Sequence, residues 1–172
     1  MKYQDCAETL QADEAAGLDA GRLAEANINP ATGLASDYLN HFSEAIMLLE
    51  MLSSSPDCLD DFLRWQPMSY REHFEASHFK GRRLAIAAYE AADPSLRRCL
   101  DALAGTMTAV LEATRAAMRA DIPSPAAIAL ADRAAALLRP LVARAGAVIN
   151  GDSDAGEPTS PQAVVDALMT RR

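Results

Sequence analysis

The residues best suited to chemistry in this chain are its histidines and the carboxylates spaced around one of them. Asp37, His41 and Glu44 read D-x-x-x-H-x-x-E, a spacing that puts all three in one broad sector of a helix. A carboxylate and an imidazole so placed can form one edge of a metal site, an acid–imidazole pair, or a wall of a small-ligand pocket. A closed metal site needs ligands from a second helix. His73 and His78 are available, but five residues separate them by about 140° around a helix, so one face cannot offer both. Neither H-E-x-x-H nor paired E-x-x-H occurs. The plain alternative is ordinary helix-end or surface histidines with salt partners. A concave apolar pocket lined by Phe42, Phe74 and Tyr89 would favour a small ligand over a metal.

The segment Ser77-His78-Phe79-Lys80-Gly81 is similar to the histidine-phosphotransfer motif of phosphorelay proteins. There a histidine on a four-helix bundle is followed three residues later by lysine and then by glycine. The resemblance covers five residues. It implies His78 as phosphoacceptor, Lys80 steadying the phosphoryl group, and Gly81 leaving room for a partner. The spacing departs from the motif: Ser77 occupies the position three before Lys80, and one residue turns a helical side chain by about 100°. Other chemistries have less to build on. No G-x-S-x-G elbow is present, Cys58 has no histidine partner evident in sequence, and Gly17 and Gly21 lack the lysine and hydroxyl of a phosphate loop. Neither catalysis nor a cofactor is expected.

Those side chains must be held by helices. The chain has 172 residues, enough for one domain with its own core. Half the residues are hydrophobic but only 5% are aromatic, and alanine and leucine, both strong helix formers, supply most of the apolar content. Alternating β-branched runs are missing, so the expected class is all-α: a compact bundle of five or six main helices, mostly antiparallel, with short capped connections. Caps recur as Ser55-Pro56, Asp93-Pro94, Ser124-Pro125 and Ser160-Pro161, where an oxygen can accept from a free N–H and proline needs no donor. Ser69 and Glu72 add a capping box.

Periodicity predicts a helix over 36–53, apolar at Leu39, Phe42, Ile46 and Leu49, with Met47 and Met51 on nearly the opposite side. Further helices are predicted over 56–65 and 69–92, with Gly81 as a point of close approach or a break. The helix after Asp93-Pro94 carries a long stripe: Leu96, Leu100, Leu103, Met107, Val110 or Leu111, Thr114 and Met118. In the next helix, Pro140 should kink or divide the run. Residues 1–35 read as an acidic arm, partly helical or partly disordered, and residues 36–149 as the bundle core. Residues 150–159 read as an acidic flexible linker, and 160–172 as an amphipathic helix docking on the core.

A net charge of -8 argues against a nucleic-acid surface, although Lys80, Arg82 and Arg83 cluster locally and could meet an acidic partner. Three widely spaced cysteines, Cys6, Cys58 and Cys99, form neither a disulfide framework nor a zinc knuckle. No signal peptide or membrane-length apolar run is seen, so a cytoplasmic setting with no membrane partner is expected. Two helices carry apolar residues on more than one face. The functional expectation is therefore a non-catalytic protein–protein interaction or regulatory adaptor domain, able to self-associate as a homodimer. Its candidate contact residues are Met47, Met51, Phe79, Arg82, Arg83, Ile86 and Tyr89. The alternatives are a histidine phosphocarrier using His78 with Lys80, and a metal or small-ligand module at Asp37, His41 and Glu44.

Overall fold

A computed structural model describes residues 18–120, 124–152 and 160–170. The helix expected within the first part of the acidic arm, with Cys6, and most of the acidic linker lie outside the described residues. Eight helices are present among the described residues: α1 (Ala20–Glu25), α2 (Tyr38–Met51), α3 (Cys58–Arg64), α4 (Tyr70–Ala76), α5 (Arg82–Ala91), α6 (Pro94–Arg119), α7 (Ser124–Asn150) and α8 (Pro161–Met169). No strand accompanies them among those residues; a single isolated bridge joins Ile28 and Ala35. The protein is thus an all-α helical domain, and none of its described helices is long and apolar enough to cross a membrane.

The core follows the apolar stripes. Leu100, Leu103, Met107, Val110, Leu111, Thr114 and Met118 of α6 are buried, as are Leu39, Phe42, Ile46 and Leu49 of α2. The buried Thr114 hydroxyl donates to the Val110 carbonyl at 2.7 Å, which lets a polar side chain sit in an apolar layer. Helix α6 lies against α7 and α8, while α2 lies against α7, α3 and α4. Leu39 approaches Gly146 at one end of the α2–α7 pair, and Glu50 bonds Arg139 towards the other, so these helices run in opposite directions. Helix α8 docks through the fully buried Leu168.

Capping accounts for several boundaries. Asp93 accepts from the N–H groups of Ser95 and Leu96 at the start of α6, and Ser69 with Glu72 forms both halves of the capping box on α4. Helix α3 begins later than Ser55-Pro56 implies. Backbone bonds from Cys58 to Ser55 and from Leu59 to Pro56 make a turn first, so the Ser55 side chain is not the cap. The Ser160 side chain makes no capping bond either, although Pro161 opens α8.

One departure from the sequence reading has a clear physical cause. The run predicted over 69–92 is two helices, because the chain turns between Ser77 and Gly81 and folds back. Tyr70 then stacks on Tyr89, and Phe74 meets Phe79. Gly81 serves both expected roles. It ends the break, and a Cβ there would lie 2.9 Å from the Phe79 ring and 3.0 Å from the Ala26 Cβ.

Residues 18–35 of the acidic arm carry α1 and join the core. Asp19 caps α1, and Leu23, Ile28, Leu34 and Ala35 are buried. Asn29 and Thr32 donate side-chain hydrogen bonds to the Ile149 carbonyl at 3.0 and 2.7 Å. They satisfy an acceptor that the end of α7 would otherwise leave open. Gly151 completes that end in the left-handed conformation, with Asp152 N–H bonded to the Ala147 carbonyl and Gly151 N–H to the Val148 carbonyl.

Pro140 lies inside α7, which continues through it. Pro140 and Ala136 are exposed, so the carbonyl left without its N–H partner faces water. Pro140→Ala should therefore restore one helical hydrogen bond and raise stability by about 1 kcal/mol, read from urea melts. A neutral or destabilising result would mean that the surrounding helix is shaped to the proline.

Candidate functional site

Trp65 is the C-cap of α3, where the chain leaves helical geometry two residues before Pro67. Its carbonyl accepts from Arg115 of α6, and Arg119 donates to the Leu63 carbonyl at 3.2 Å. Two guanidinium groups thus serve the open carbonyl end of a short helix, where positive charge is favoured. Anchored this way, the indole N–H donates to the His41 carbonyl at 3.2 Å, and the ring stacks on the His41 imidazole at 4.7 Å between centroids.

His41 is only 7% exposed, and its Nε2 has no hydrogen-bond partner. Burial holds its pKa down to about 4. The nearby His73 lowers it further, and the Gln66 backbone pulls weakly the other way. The two imidazole centroids are 6.0 Å apart. Burial also lowers the pKa of His73, against the opposing charge of Asp37. Both rings are therefore neutral near pH 7. His41 lines a cleft of about 410 Å³ with Glu44, Asp61, Arg64, Trp65 and Gln66.

The structure thus joins His41 to Glu44 at one cleft and to His73, while Asp37 acts on His73. Among the described residues, no three His, Cys, Asp or Glu side chains come together as a group able to hold a metal ion. Asp37, His41 and Glu44 share a helix sector without converging on one point. His78 is exposed in the turn between α4 and α5. It does not stand on a helix face, which is the placement implied by the phosphotransfer resemblance. Lys80 is exposed in the same turn.

A second cleft, of about 580 Å³, is lined by Tyr38, Tyr70, Tyr89, Asp101 and Gly105. The Tyr38 hydroxyl donates to the Met68 carbonyl at 3.0 Å, and the Tyr70 hydroxyl accepts from Ala35 N–H at 2.9 Å. The Tyr89 hydroxyl is 2.7 and 2.8 Å from the two Asp101 oxygens, and the Arg97 guanidinium lies over its ring. Burial and the bonded Asp101 push Tyr89 up to about 12, and burial raises Tyr38 and Tyr70 as well. These phenols remain protonated and act as structural ties between α2, α4, α5 and α6. Phe42 and Phe74, whose presence beside Tyr89 in an apolar pocket would favour a small ligand, are fully buried and line none of this cleft.

Of the expected contact residues, Met47 and Met51 are 50% and 41% exposed. Phe79, Ile86 and Tyr89 are half-buried against the core, Arg82 donates to the Ser77 carbonyl at 3.2 Å, and Arg83 is exposed. The Trp65–His41 stack is invisible to helical periodicity because it joins a helix end to a different helix. The one signal for it in the sequence is a lone tryptophan placed two residues before a helix-stopping proline. No family model, curated protein or solved structure matches the chain.

Proposed function

We propose that this is a non-catalytic protein-interaction domain of the regulatory-adaptor kind, which meets a protein partner or a second copy of itself through the outward face of α2. The observation that carries this reading is the pair Met47 and Met51, one turn apart and about half exposed. Glu44 and the half-buried Leu48 share that face, and the His41 cleft adjoins it. Methionine is adaptable and polarizable, and it is enriched at interfaces. A rim with Glu44 and the Glu50–Arg139 ion pair would surround an apolar centre. The net charge of -8 supports a protein partner over nucleic acid. Free thiols at Cys58 and Cys99 support a reducing, cytoplasmic setting.

The double variant Met47→Lys/Met51→Lys tests the reading. Both side chains are exposed, so the melting temperature should barely move. Wild-type protein should either show a dimer mass by light scattering or retain a stoichiometric partner from native lysate, and the variant should lose whichever is seen. A monomeric wild type with no such partner, or a variant that keeps the association, refutes it.

A further inference from the structure

The turn and helix that carry the lysine–arginine cluster also border a cleft of about 710 Å³. Lys80 and Arg83 stand on its wall with Arg22 of α1, and Leu84, Ala87 and Ala91 provide apolar lining. Among the described residues, the only carboxylate on this wall is Glu90, and one of its oxygens already bonds the Arg71 guanidinium. Arg64, Arg71 and Arg139 are ion-paired elsewhere, and Arg82, Arg115 and Arg119 serve backbone carbonyls. Among the described residues, Lys80 and Arg83 have no such partner.

Lys80 and Arg83 thus stand uncommitted beside an apolar surface, on a chain whose net charge is -8. We propose that this cleft binds a small anionic amphiphile: a carboxylate or phosphate head between Lys80 and Arg83, with a short hydrocarbon body against Leu84, Ala87 and Ala91. The volume lies within the range of small-molecule sites. A charged head meets charge-assisted donors there, while the body removes apolar surface from water. This site is separate from the α2 face and does not depend on it.

The test uses the full chain, with octanoate and octyl phosphate as probes below their micelle concentrations. Calorimetry gives the affinity, and amide NMR shifts give the location. Saturable binding with shifts at Leu84, Ala87 and Ala91 is expected, and the ratio of the two affinities identifies the preferred head. Arg83→Glu, an exposed substitution, should weaken binding about tenfold or more without changing the melting temperature. The proposal fails if octylammonium binds as well as octanoate, because charge then plays no part. It fails too if inorganic phosphate matches octyl phosphate, because the apolar surface is then idle. Binding to anionic vesicles with no response to the free amphiphiles would replace the site with a membrane-facing patch. Shifts that map elsewhere, or an Arg83→Glu variant that binds normally, also overturn it.

Discussion

Gly33→Ala is expected to lower the unfolding free energy by about 3 kcal/mol. Two costs combine. Gly33 has φ +72°, where a residue with a Cβ is strained by about 1–2 kcal/mol. The added Cβ would also lie 2.8 Å from the Ala88 carbonyl oxygen of α5. That atom belongs to backbone and has no rotamer by which to move aside, so the 29–35 turn and α5 would have to separate. The same turn supplies Asn29 and Thr32 to the end of α7, so the disturbance should spread into the core. Gly105 provides the control. It lies inside α6, where an added Cβ would meet nothing within 4 Å, and Gly105→Ala should stabilise by about 1 kcal/mol. Urea melts of the two variants should therefore move in opposite directions. If Gly33→Ala were as stable as wild type, the close contact between turn and helix would be wrong.

Acidification should destabilise this protein through His41. In the folded state burial holds the imidazole pKa near 4, against an ordinary value of 6.5. Above pH 6.5 both folded and unfolded chains leave the ring neutral, and it has no effect on the balance. As pH falls from 6.5 towards 4, the unfolded chain takes up a proton that the folded chain resists, so stability drops. Below about pH 4 both states are protonated and the loss is complete. The adjoining cleft admits water, which limits the expected loss to about 2 kcal/mol, less than the full shift implies. His73, also lowered by burial, adds in the same direction. His41→Phe keeps an aromatic ring against Trp65 and removes both the titration and the unpartnered Nε2. The variant should lose most of the pH slope between about 6.5 and 4, with Trp65, the only tryptophan, reporting unfolding. Equal slopes in wild type and variant would show that His41 is not the group responsible.

The α2 and α6 stripes were legible because burial on one side of a helix imposes a period of three to four residues, and sequence displays that period directly. Local oxygens near a helix start were legible for the same reason at Asp93 and Ser69, where donor and acceptor are two or three residues apart. Ser55 and the 77–81 break were harder. There the choice between helix and turn depends on what the following segment packs against, and Tyr70 on Tyr89 is a contact between separate helices.

The candidate sites show the same division more sharply. Spacing grouped Asp37, His41 and Glu44 in the sequence, yet spacing fixes only direction around one helix. Which groups face His41 depends on Trp65 and Gln66 at the end of α3, and on His73 from α4. Lys80 and Arg83 were visible as a basic cluster, and Ala87 and Ala91 follow Arg83 at four-residue steps on one face of α5, whereas Arg22, which helps make it a cleft, comes from a distant part of the chain.

By itself, the sequence determined an acidic all-α chain, the buried faces of its long helices, and the caps that begin several of them. All of these follow from forces acting within a few residues of one another. Tertiary structure alone decided that residues 18–35 close the end of α7, that His41 is buried against Trp65 with no partner at Nε2, and that Arg22 joins two cations of the lysine–arginine cluster around one cleft. Those features arise where distant segments exclude water from each other, and no local period in a sequence records which segments meet.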